Sequence, residues 1–63
     1  MLLRGKVSSI ESSGTRVTFP DKNNAVSAPL KKIDSVGLLE VGDNVLVAFF
    51  SNSMKDAIII GKY

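Results

Sequence analysis

The chain contains no cysteine, no histidine and no tryptophan. Without cysteine there is no disulfide and no thiolate nucleophile. Without histidine there is no imidazole acid–base chemistry, and the two absences together exclude Ser-His-Asp and Cys-His arrangements and the usual zinc ligands. Carboxylate pairs remain, but Asp21, Asp34, Asp43 and Asp56 each stand among turn-forming residues, where satisfying a loop amide is their ordinary role. No enzymatic activity, cofactor or metal is expected. No apolar run approaches the roughly 20 residues that span a bilayer, so membrane insertion is not expected either. The N-terminus lacks the basic, apolar, small-residue succession of a secretory signal. With no cysteine present, the expectation is a cytosolic, unprocessed product.

Length is scarce as well. The 63 residues make one domain, 1–63, whose core is marginal when it stands alone. With disulfide and metal staples excluded, two sources of stability remain: closing a sheet into a barrel, which removes its edges, or association with other copies or a larger assembly. Charge is balanced at a formal +2, eight Lys and Arg against six Asp and Glu. That balance speaks to solubility, since a dedicated nucleic-acid binder more often shows a clustered basic excess.

What is present is a pattern of short strands around one apolar stretch. Val41-Gly42-Asp43-Asn44 forms a turn, because Gly42 tolerates positive φ and the Asp43 and Asn44 side chains can accept from turn amides. It launches Val45 to Phe50, two Val and two Phe with no charge, as a strand. Ala57-Ile58-Ile59-Ile60 is a second apolar run, and its β-branched residues favour strand over helix. The two pair as a hairpin, 45–50 with 57–62, across the polar segment 51–56.

Residues 1–10 read as a first strand, with Leu3, Gly5 and Val7 on one face and Arg4, Lys6 and Ser8 on the other. A glycine inside a strand marks a bend, a bulge or the close approach of another backbone, and Gly5 is expected to serve one of these. After the turn 11–14, Thr15-Arg16-Val17-Thr18-Phe19 alternates cleanly, and Pro20 ends it by removing a donor. A polar tip, 21–24, leads to a third strand, 26–33, which Pro29 places at an edge or a bulge. The connection 34–41 is too short and glycine-interrupted for a stable helix. A single turn at Asp34 or Ser35 is expected, with Leu38 or Leu39 plugging one end of the barrel.

Five short strands with a longer connection after the third predict an all-β, small five-stranded barrel, OB-fold-like, with an SH3-like barrel as the alternative.

The order of these motifs resembles the OB-fold module of the bacteriophage tail spike and baseplate assembly protein V family, and the related spike of type VI secretion. The resemblance rests on the glycine-containing first strand Gly5-Lys6-Val7, the Arg-Val-Thr-Phe-Pro strand from Arg16 to Pro20, the Val-Gly-Asp-x-Val-Leu-Val-x-Phe strand from Val41 to Phe49, and the closing Ile58-Ile59-Ile60-Gly61. It spans nearly the whole chain. Two features depart from the family: Pro29-Leu30 stands where a third-strand aromatic is common, and the β-helical needle and peptidoglycan-cleaving domain that normally follow the module are not in this sequence. The resemblance therefore implies the fold, a phage or prophage tail or baseplate setting and a trimer. Its location would be the bacterial cytoplasm during assembly and then the virion tail. It does not imply piercing or lysis.

Two surfaces follow as candidates. If Val45, Val47 and Phe49 point inward, the period of two turns Leu46, Ala48 and Phe50 outward; Ile59 is expected outward too, opposed to Ile58 and Ile60. Leu46, Ala48, Phe50 and Ile59 would then form an apolar patch of the kind that marks an assembly surface, serving a homo-oligomeric ring or contacts with other phage tail proteins. The bland reading is that 34–41 or a bulge covers this face. The competing function is single-strand nucleic-acid binding through Arg4, Lys6, Arg16, Lys31 and Lys32. Few aromatics support it: Phe19 and Phe49 fall on inward positions, which leaves a thin stacking platform.

Overall fold

The computed structural model describes all 63 residues, Met1–Tyr63. The chain forms six strands: β1 (Leu2–Glu11), β2 (Gly14–Phe19), β3 (Ala25–Val26), β4 (Lys31–Lys32), β5 (Asn44–Phe49) and β6 (Ala57–Lys62). They form one curled sheet in the order β3-β2-β1-β5-β6-β4. All neighbours are antiparallel except β4, which runs parallel to β6 with Lys31 opposite Ile58 and Lys32 opposite Ile59. The protein is a small all-β barrel.

The expected third strand is present in two pieces, and Pro29 lies between them. Proline lacks the N–H that a continuous ladder needs, so the chain bulges there. Its first piece, β3, pairs with β2, and its second, β4, crosses to β6. The residues between them bind back to β2: Leu30 and Thr15 exchange two backbone hydrogen bonds of 2.9 Å each, and the Ser27 N–H donates to the Val17 carbonyl at 2.9 Å. β3 and β4 are the two edges of the sheet, and this short seam holds the segment that links them against β2.

At the seam the Ser27 side chain replaces a missing backbone acceptor. Its Oγ accepts from the Val17 N–H at 3.0 Å and donates to the Ala28 carbonyl at 2.7 Å, with the residue fully buried. Two turns complete the frame. Gly42 adopts φ 95°, and its N–H donates to the Val7 carbonyl at 2.9 Å. The Asp43 carboxylate accepts from the Glu40 N–H at 2.9 Å, the turn role expected of it. A single 3-10 turn, Asp34–Val36, stands where one helical turn was expected.

The core gathers Val7, Val17, Phe19, Leu30, Val45, Val47, Phe49 and Ile59, with Leu3, Val36, Leu39, Met54 and Ala57 packed against it. The Phe19 and Phe49 rings meet at 5.4 Å with a 57° tilt, within the range that aromatic pairs favour. Of the two leucines expected to plug the barrel, Leu39 is partly buried against the core, while Leu38 is 88% exposed. Gly5 is a close-approach glycine: a Cβ there would overlap Val17 Cγ1 and come within 2.9 Å of the Thr18 carbonyl oxygen.

Gly5→Ala should therefore lower the unfolding free energy by about 1–3 kcal/mol through overpacking in β1. Ser27→Ala should cost about 1–3 kcal/mol by stranding the buried Val17 N–H. Urea titrations of both variants check these values.

Candidate interaction face

The strand β5 buries Val45, Val47 and Phe49 and leaves Leu46 and Ala48 on its outer side, half-buried by their neighbours. Phe50 follows in the same phase and is 72% exposed. These three residues stand on the face that the alternation assigned to them.

Ile59 does not, and the expectation for β6 must be corrected. It lies directly opposite Val47 and is 0% exposed, a core residue. Directly opposed residues in a ladder share a face, so burial of Val47 carries Ile59 inward with it. Ile58, expected inside, is opposite outward-facing Ala48 and is half-buried. Ile60 is the extra residue between the pairs Leu46–Gly61 and Val47–Ile59, where the register shifts.

The outer face extends across three strands. Leu2 lies opposite Ala48, and Ala48 opposite Ile58, giving an apolar row from β1 through β5 to β6 that ends at Lys31 of β4. A second row, Arg4–Leu46–Gly61, runs beside it. At one end, Met1 and Phe49 are tied backbone to backbone at 2.8 Å, and Met1, Leu2 and Phe50 are all more than half exposed. Of the 34–41 connection, Val36 and Leu39 pack on the core, Leu38 and Val41 are exposed, and its 3-10 turn lies against β6. Sequence reasoning missed Leu2, although the alternation that turns Arg4 and Lys6 outward turns Leu2 outward too. It missed Ile58 because a run of three isoleucines carries no alternation to read.

The five cations proposed for nucleic acid do not share one surface. Arg16 is held by Glu11, Nε to Oε2 at 2.8 Å, and its Nη1 donates to the Ser27 carbonyl at 3.3 Å. Lys32 Nζ donates to the Gly37 carbonyl. Lys31 lies on β4, at the opposite margin of the outer face from β1. Arg4 and Lys6 alone converge, in a groove shared with Pro20, Asp21, Asn44 and Tyr63.

The carboxylates are dispersed, with no three gathered as metal ligands would be. No helix is long and apolar enough to cross a membrane. Comparison with family models, with curated proteins and with solved structures finds no match.

The two adjacent phenylalanines distinguish core from face. At micromolar concentration, Phe49→Ser should lower stability by at least about 3 kcal/mol, whereas Phe50→Ser should change it by no more than about 0.5 kcal/mol. Thermal unfolding followed by circular dichroism reads both.

Proposed function

We propose that the chain is a non-enzymatic assembly module that works by self-association through the outer face of β1, β5 and β6. The observation that carries this reading is the row Leu2–Ala48–Ile58, flanked by Leu46 and Phe50. A barrel this small has one interior, filled by eight buried side chains, and no second core to receive that row. A patch of contiguous apolar side chains marks an interaction site. Fully burying Leu2, Leu46, Ile58 or Phe50 against another copy would contribute about 1.5–3 kcal/mol for each side chain. That sum is comparable with the whole stability of a small domain, whose core is marginal alone.

A closed ring satisfies repeated subunits without leaving an open surface, and a trimer is the ring that the sequence resemblance supports. The same resemblance supports a phage or prophage tail or baseplate setting, with other tail proteins as further partners. Single-strand nucleic-acid binding across a broad basic face is less favoured, because Arg16 and Lys32 are engaged within the chain and Lys31 stands apart from Arg4 and Lys6.

Light scattering over a concentration series should show a mass rising from monomer to a discrete oligomer. Ala48→Arg, which places a charge in the middle of the row, should weaken association by about 3 kcal/mol or more while leaving the monomer folded. A strict monomer at millimolar concentration, or an oligomer indifferent to Ala48→Arg, would remove this function.

A further inference from the structure

Next to the apolar row, β1 also borders a groove with a different chemistry. It has a volume of about 240 Å³ and is lined by Arg4, Gly5, Lys6, Pro20, Asp21, Asn44 and Tyr63. Three elements build it. Arg4 and Lys6 project from the outer side of β1, separated by Gly5, which offers only backbone there because its side-chain direction is filled by Val17. The 3-10 turn Pro20–Lys22 supplies Asp21 on one side. On the other side Asn44 lies opposite Lys6, and Asn44 accepts a hydrogen bond from the Tyr63 N–H at 3.0 Å, which fixes the backbone of the last residue beside the groove.

The charges in this groove are unspent. The two ion pairs of the chain are Arg16–Glu11 and Lys62–Asp43, so neither Arg4 nor Lys6 has a carboxylate within 4.0 Å, Asp21 included. Two adjacent free cations, one of them a guanidinium, suit a phosphate, which accepts charge-assisted and bidentate hydrogen bonds. Tyr63 is 63% exposed and lines the groove, and an exposed aromatic ring is a surface on which a base can stack. Asp21 and Asn44 add acceptors and an amide donor for hydroxyl or ring N–H groups. A purely acidic peptide would have no use for the ring.

We propose that this groove binds one nucleotide unit, its phosphate on Arg4 and Lys6 and its base against Tyr63. The unit comes either from a free nucleotide or from a single-stranded nucleic acid. The assignment takes Arg4 and Lys6 from the basic set read in the sequence, adds Tyr63, and leaves out Arg16, Lys31 and Lys32.

Tyr63 supplies its own reporter, since the chain has one tyrosine and no tryptophan. Adenosine monophosphate and a short oligothymidylate would each be titrated into the intact protein at low ionic strength, with tyrosine emission recorded. A saturable change in emission is expected, weakened roughly tenfold or more in Arg4→Gln/Lys6→Gln as the phosphate contacts are lost. Lys31→Gln/Lys32→Gln should stay within about twofold of the parent. Calorimetry on Tyr63→Leu should show weaker binding as well, an arm that does not depend on the double variant. Similar affinities for the two ligands identify a free nucleotide, and an oligonucleotide about tenfold tighter identifies a nucleic-acid strand. No emission change up to millimolar ligand, undiminished binding by Arg4→Gln/Lys6→Gln, or loss of binding in Lys31→Gln/Lys32→Gln alone would overturn the assignment.

Discussion

The structure depends on the seam between the two edges of its sheet. A chain with so few residues and no covalent or metal staple is stable only if its backbone polar groups are paired and its one core is sealed. Pro29 prevents the third segment from running as a continuous strand, yet the Leu30–Thr15 pair and the buried Ser27 hydroxyl carry the pairing across the break. The segment can then leave β2 and lie parallel to β6. The proline that weakens the strand is also what lets one segment serve both edges.

Closing the barrel fixes which side chains are surplus. Every strand alternates, so each inward residue is matched by an outward one. Where the outward partners are Arg4, Lys6, Arg16 and Thr18, water solvates them. Where they are Leu2, Leu46, Ala48 and Ile58, the sheet has apolar side chains on both faces and one interior to fill. The assembly reading rests on this mismatch between an apolar composition and a single small core.

Charge follows the same geometry. Eight cations distributed over four strands and the turns do not make a basic face, and the ladder partners bear on which remain free. Arg16 is opposite Ser9 and near Glu11, which neutralises it, whereas Arg4 and Lys6 lie on a strand whose neighbours offer Leu46 and Asn44. One groove therefore concentrates unpaired positive charge although the whole chain is nearly neutral.

Local sequence alone determined much of this. The alternation in 15–19 and 45–50, the turn at Gly42-Asp43, the hairpin between 45–50 and 57–62 and the interruption at Pro29 each follow from steric and hydrogen-bonding preferences within a few residues. Three isoleucines in succession have no such local preference, because any phase leaves an apolar side chain on each face. The phase of β6 was decided by the residue opposite: the Val47–Ile59 pair and the shift that follows it bury Ile59 and turn Ile58, half-buried, toward the side of Ala48. The division of 26–33 between two strands, the convergence of Arg4 and Lys6 with Tyr63, and the capture of Arg16 by Glu11 likewise depend on which segments the closed sheet makes neighbours. Periodicity specifies which residues share a face, and only pairing between distant strands specifies which face is inside.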